Sequence, residues 1–226
     1  MQIGTGNAEH VYTDRFSVLN KTLIYMTVRN LNPMAVFEDR LIYYRERTLN
    51  AYSPFAYWVS VWLPQVPLTV VNGIIYGAVV YPLAGLRAGG QYVMTYLYFI
   101  TTGEIAIYFL FNMVTALCST PFAALHYLPL IQLTLVNLSG FCEYIPDMQV
   151  WVKFFTYGSV SRYLFQGLVL NELQDNGNLP ESHDYIVALG FTGISVGGCA
   201  AMMLVFIAIP MIGHYWALKY VIHERR

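Results

Sequence analysis

From Thr48 to Leu86 the chain carries no Asp, Glu, Lys, Arg or His. A helix needs roughly 20 consecutive apolar residues to cross a bilayer, so this run alone is long enough. Directly before it, Glu38–Arg47 (EDRLIYYRER) is densely charged, and a water-soluble helix-forming segment turns abruptly into a lipid-soluble one. Composition points the same way: 57% of residues are hydrophobic and 11% charged, where soluble domains carry roughly a quarter charged residues. The chain therefore reads as an all-α integral membrane protein. Its formal net charge of -1, with no long run of either sign, gives no footprint for nucleic acid.

Hydropathy predicts about five membrane-spanning helices, at about residues 16–36, 55–86, 92–117, 122–140 and 185–216. The first carries Lys21 and Arg29 and is the least apolar. Pro64 and Pro67 should kink or unwind the start of the second by removing backbone donors. The third is interrupted only by Glu104, and Ser119-Thr120-Pro121 leads straight into the fourth. So short a connection makes these two antiparallel neighbours, with Gly89-Gly90 marking a turn at the other face. The fifth contains no charge from Tyr185 to Gly213 and is long enough to cross with tilt.

The segment 142–184 does not read as a span. It carries Glu143, Asp147, Glu172, Asp175, Glu181 and Asp184 against Lys153 and Arg162, yet its centre is rich in aromatic and aliphatic residues. That mixture predicts short re-entrant or interfacial helices, followed by a polar cap, Gly177–Asp184. With five spans, Arg40, Arg45 and Arg47 share a face with Lys219, Arg225 and Arg226, while Arg15, Lys21, Arg87, Lys153 and Arg162 fall opposite. The positive-inside rule then puts the tail in the cytoplasm and the 142–184 segment outside.

Few residues offer chemistry. No G-x-x-x-x-G-K-[ST] occurs, and GLRAGGQ has no lysine after its glycines, so the chain is not expected to hydrolyse ATP by itself. G-x-S-x-G and H-E-x-x-H are absent too, and His10, His126, His183, His214 and His223 are scattered over loops and span ends, which reads as interfacial or turn histidines. Cys118, Cys142 and Cys199 show no C-x-x-C spacing, so neither a metal site nor a disulfide framework is expected. The N-terminal MQIGTGNAEH does not have the pattern of a cleavable signal peptide. Glu104 is the one acid deep in a span; it reads equally as a functional intramembrane carboxylate or as a group hydrogen-bonded within the bundle beside Thr101 and Thr102. Lys21 and Arg29 read as side chains that snorkel to the interface, with a pathway role as the alternative.

On a helix over Glu38–Asn50, Phe37, Leu41, Tyr44 and Thr48 fall on one stripe, Arg40 and Arg47 share a flank, and Glu38 lies one heptad from Arg45. Such an amphipathic helix at the membrane edge is either an interfacial anchor or a lever that meets a soluble partner. Its mixed-sign charge suits a protein surface better than anionic lipid, which would favour Lys and Arg alone.

The run VFEDRLIYYRERTLNAYSPFAYW, continued by QVP and IIYGAVVYPLAG, resembles the membrane domain of ABC transporters of the ABCG and pleiotropic drug resistance group. That family shows a pattern like V-x-E-R-x-V-F-Y-R-E-R-x-x-G-x-Y-S, then a span opening near E-[IL]-P and closing with Y-G-x-x-V-Y-x-x-x-G. Glu38, Arg40, Tyr44, Arg45, Glu46, Arg47, Tyr52, Ser53, Pro67, Tyr76, Gly77, Tyr81 and Gly85 fall on it. Ser139-Gly140-Phe141, Ile145-Pro146, Trp151, Tyr157, Ser159, Arg162-Tyr163 and Asn171-Glu172-Leu173 resemble the family's segment after its fifth span. The resemblance covers residues 15 to 220 or so. Gln65 departs from it, standing where an acid usually precedes the proline. Asn50 replaces a usual Gly, a mild change because Asn tolerates a left-handed turn. Cys142 stands without the further cysteines that some members pair in this loop.

The resemblance implies a single transmembrane domain of an ATP-driven exporter, whose first membrane helix and nucleotide-binding domain are not in this sequence. Glu38, Arg40, Tyr44, Arg45, Glu46 and Arg47 would couple residues 37–49 to that nucleotide-binding domain, which would hold ATP and Mg; this chain itself would hold no cofactor. A second transmembrane domain would complete the pathway, lined by Ile24 and Thr27 on the first span and Leu133 and Val136 on the fourth, with Phe141 and Cys142 at the place of a hydrophobic plug. Cargo would be amphipathic or lipid-like, since an apolar lining with an occasional hydroxyl binds by burial. Membrane lipid would surround the spans, in the plasma membrane. The alternatives are a non-transporting fragment or assembly partner, and an intramembrane enzyme, for which no set of His, Asp or Ser lies at one depth.

Overall fold

A computed structural model describes residues 5–30, 33–142, 145–174 and 182–221, and every regular element among them is helical. In order these are α1 (Thr5–Arg29), α2 (Pro33–Thr48), α3 (Pro54–Trp62), α4 (Gln65–Leu83), α5 (Gly90–Leu117), α6 (Pro121–Asn137), α7 (Val150–Tyr157), α8 (Val160–Leu173), α9 (Ser182–Ala188) and α10 (Val196–Tyr220). Among the described residues, three stretches are long and apolar enough to cross a membrane: Pro54–Leu83, Gly90–Leu117 and Val196–Tyr220. Two of the five expected spans do not meet that test. The chain of α1 is interrupted by Asp14, Arg15, Lys21 and Arg29, and α6 is a residue short of the 18-residue window.

The centre of the bundle is α5, 56% of whose apolar window is covered by protein, against 22% for Pro54–Leu83 and 17% for α10. Tyr96, Phe99, Ile100, Ile107 and Phe111 of α5 join Leu23 and Met26 of α1, Leu164 and Leu168 of α8 and Met203 of α10 in one core. Close approach is built in by Gly167, where a Cβ would sit 2.3 Å from the Phe99 ring. Any larger residue there would force α8 off α5.

Local chemistry sets the ends. Ser53 accepts the Ala56 N–H at 3.3 Å ahead of Pro54, and Thr120 accepts the Ala123 N–H at 3.2 Å ahead of Pro121, so two proline-opened helices have hydroxyl caps. The expected proline disturbance falls at Leu63–Pro64, where α3 gives way to α4, while Pro67 sits harmlessly in the first turn of α4. Asn50 has φ +52°, and Asn50 N–H bonds to the Arg47 carbonyl and Ala51 N–H to that of Glu46, the pattern that ends a helix through a left-handed residue.

The structure revises several boundaries. The expected first span is two pieces: α1 stops at Arg29, and α2 begins at Pro33, four residues before the amphipathic helix was expected. The expected fifth span is also broken. Gly190 at φ +74° closes α9, with Phe191 N–H on the Ile186 carbonyl, and α10 starts afresh behind a Ser195 cap. The Gly177–Glu181 part of the polar cap, His10's side chain and the tail from Ile222, with His223, Arg225 and Arg226, lie outside the described parts.

The segment after α6 holds two unlike helices. In α7, Val150, Trp151, Phe154 and Phe155 are exposed. Every residue of α8 is buried, including Ser161, Arg162, Gln166, Asn171 and Glu172. It is a core helix, and partners on other elements take up part of its polar side chains. Asn171 donates to the Tyr92 carbonyl at 3.0 Å, and the Glu172 carboxylate pairs with Arg15 and accepts the Arg87 N–H at 2.9 Å.

Candidate coupling surface

Helix α2 lies across the C-terminal ends of α5 and α10. Arg40, 4% exposed, donates to the carbonyls of Thr115 (3.2 Å), Ala116 (3.3 Å) and Cys118 (3.0 Å) at the end of α5. Its guanidinium also lies over the Phe37 ring, 4.0 Å from the centroid. One heptad on, Arg47 donates to the carbonyls of Leu218 (3.2 Å) and Lys219 (3.3 Å) at the end of α10, and Tyr44 Oη donates to that of Val221 (3.2 Å). The last carbonyls of a helix have no partner within it and carry the negative end of its dipole, so each arginine caps and neutralises one helix end. A single rigid helix thus holds the ends of both.

The attached face is not the stripe expected. Phe37 and Tyr44 are buried as anticipated, but Tyr43 and Arg40 join them, while Leu41 and Thr48 point outward. The reason is that the buried side is set by polar targets, the exposed carbonyls of α5 and α10. The outward side presents Glu38, Leu41, Ile42, Arg45 and Leu49, a mixed-charge face with apolar residues among the charges. Glu46 accepts a 2.5 Å hydrogen bond from Tyr52, which ties the end of α2 to the start of α3. Burial, and then that hydrogen bond, push the Tyr52 phenol up to about 12, so it remains a donor at cellular pH. Tyr43 stacks on Tyr57 of α3, their centroids 4.2 Å apart and their planes 16° from parallel.

Deeper in the bundle Glu104, fully buried, accepts from Arg29 at 2.7 Å. Arg29 therefore does not snorkel, and the pair joins the end of α1 to the middle of α5. Lys21 is exposed. Thr22 and Tyr96 meet at 3.2 Å one step above, and Tyr76 of α4 donates to Thr22 at 3.2 Å while stacking on Tyr25. His214 is 2% exposed inside α10, a buried histidine and not an interfacial one, whereas His126 and His183 are exposed. The cysteines are all free, and no group of metal-binding side chains occurs among the described residues.

The remaining expected pathway residues are dispersed. Ile24 and Leu133 are open at the surface of α1 and α6. Thr27 is fully buried and its hydroxyl is spent on the carbonyls of Leu23 (3.3 Å) and Ile24 (2.8 Å). Val136 packs on the core, Phe141 meets the Phe165 ring edge-on at 5.9 Å, and Cys142 is exposed.

A sequence profile described as ABC-2 type transporter matches residues 3–173. The chain belongs to that membrane-domain family. Among curated proteins it is 26% identical over 207 residues to ABC transporter G family member 31 of Arabidopsis thaliana, covering 83% of this chain and 14% of that one. It is 28% identical over 156 residues to the ABC transporter ATP-binding protein/permease PDR18 of Saccharomyces cerevisiae (69% and 12%) and 26% over 178 residues to Protein SNQ2 of the same yeast (76% and 12%). The chain thus spans about an eighth of the length of these relatives, and the resemblance to the ABCG and pleiotropic drug resistance group holds. In the ABC-2 family this domain is the transport permease part.

Proposed function

We propose that the chain is the permease part of an ATP-driven exporter of amphipathic molecules, and that α2 transmits motion from a nucleotide-binding domain into α5 and α10. The observation that carries this is the double cap. A push on α2 is delivered through Arg40 to α5 and through Arg47 and Tyr44 to α10. Its outward face, with Glu38, Arg45 and exposed Leu41 and Ile42, is left for a soluble partner. On this reading α1 and α6 cross the membrane too, giving five spans, α2 is cytoplasmic, and the segment 142–184 faces outside at the plasma membrane. A second transmembrane domain completes a pathway along Ile24, Leu133 and Val136, with Phe141 above. Thr27 would join it only after α1 turns, since it is now buried.

Glu46→Ala in a complete transporter carrying this domain tests the reading. Loss of the Tyr52 tie should uncouple ATP hydrolysis from export while the protein still folds and inserts. Unchanged substrate-stimulated hydrolysis and export would sink the assignment of α2 as the transmission.

A further inference from the structure

Behind α2, between α3, α5 and α10, lies a cavity of about 810 Å³, within the size range of small-molecule sites. Exposed Asp39, Ile42, Ala56 and Ser60 mark its mouth, and buried Asn112, Ala116 and His214 its floor. None of the expected pathway residues lines it. Its polar groups are unevenly committed. Arg29 is spent on Glu104, and Arg40 on the carbonyls that end α5. Asp39 has no ion-pair partner among the described residues and shares the cavity lining with Tyr57 and Tyr108. At the floor, Asn112 is 4% exposed; its amide donates to the Tyr108 carbonyl at 2.8 Å, but its Oδ1 has no partner, and neither does Nδ1 of His214. Tyr52, Tyr57 and Tyr108 supply aromatic walls between mouth and floor.

From this arrangement we infer that the cavity is a binding site, within one copy of the domain, for an amphipathic organic cation with an aromatic body. The Asp39 carboxylate at the mouth favours positive charge there, because Arg29 is paired with Glu104 and the Arg40 guanidinium is directed at the carbonyls that end α5. The tyrosine rings accept a flat cation on their faces. Asn112 Oδ1 is a buried acceptor whose desolvation a ligand donor would repay. The ligand would sit against α2 and α3 together, so its occupancy would bear on how α2 is held.

The test uses the full chain in nanodiscs of neutral phosphatidylcholine and the fluorescent cation dimethylaminostyryl-N-methylpyridinium, with anilinonaphthalene sulfonate as the anionic counterpart. Saturable brightening of the cation is expected, weakened about tenfold by Asp39→Asn, as the loss of one partly screened charge predicts. Asn112→Leu should weaken it severalfold, and Asp147→Asn, a neutralised carboxylate on the 3-10 turn Ile145–Asp147, should leave it unchanged. Asp39 is exposed, so its variant should melt like the parent. Absence of saturable binding, an unchanged affinity in both Asp39→Asn and Asn112→Leu, or equal binding of the anion would overturn the site. Because no ATPase enters the measurement, that failure leaves the permease reading standing, and an uncoupled transporter would leave the site standing.

Discussion

Helices α2 and α8 both carry arginine and glutamate, and both are fastened to α5, but by opposite means. The fourteen residues of α8 are buried on all sides, with Gly167 set against Phe99 and Glu172 closed in by Arg15 and the Arg87 amide. In contrast, α2 is attached along one side through Arg40, Tyr44 and Arg47, whose partners are helix ends, and its other side stays open. A helix fixed by packing in all directions cannot move without opening the core. One held by directional bonds to two neighbours can tilt and carry them along. On the proposed reading, the difference separates a fixed element from a transmitting one within the same chain.

The harshest way to break this comparison is to treat α8 as though it were peripheral. Gly167→Val would place atoms inside the Phe99 ring, and overpacking of this kind costs roughly 3 kcal/mol or more. Thermal unfolding in nanodiscs should show loss of the folded form; an unaltered melt would mean that α8 is not locked against α5. Glu172→Ala comes next. It strands Arg15 and the Arg87 N–H, and with Arg15 still partly exposed the cost should be about 3 kcal/mol, near the lower end for a broken buried pair. Unfolding should remain cooperative in that variant, since the loss falls on the shared core.

Arg40→Ala should behave differently. Removing charge-assisted bonds to three carbonyls costs about 2 kcal/mol, but the loss should be local. Hydrogen exchange would speed up in α2 and at the end of α5, with α8 protected as before. Equal acceleration in α8 would show that the two helices are not energetically separate.

Much of α2 was legible from sequence and little of α8. The left-handed Asn50 and the charged helix ahead of an apolar run are local matters, decided by residues within a few positions of one another. The buried position of α8 depends on Arg15, Arg87 and Tyr92, which lie 79 or more residues away from their partners on it and carry no local mark. Composition alone therefore read the segment as re-entrant or interfacial, with no sign that α8 is buried on every side. The same blindness hid the Arg29–Glu104 pair, whose members are 75 residues apart, although Glu104 itself stood out as an acid within an apolar run. Pattern also misjudged which side of α2 is buried, because its targets are backbone carbonyls that no hydrophobic period reports.

The smallest stability effect belongs to the open side of α2, and there it is most informative. Glu38 and Arg45 are exposed and have no ion-pair partner among the described residues, so Glu38→Gln and Arg45→Ala should each change stability by less than about 0.5 kcal/mol. If α2 only anchors the domain at the membrane edge, these substitutions should also leave transport in a complete transporter untouched. If the open side meets a nucleotide-binding domain, Arg45→Ala should reduce export severalfold with no loss of folded protein, since a charge at the edge of an interface acts on association more than on the fold. A drop in export that merely tracks a drop in melting temperature would place Arg45 with Arg40, among the residues that hold α2 down, and erase the contrast between its two sides.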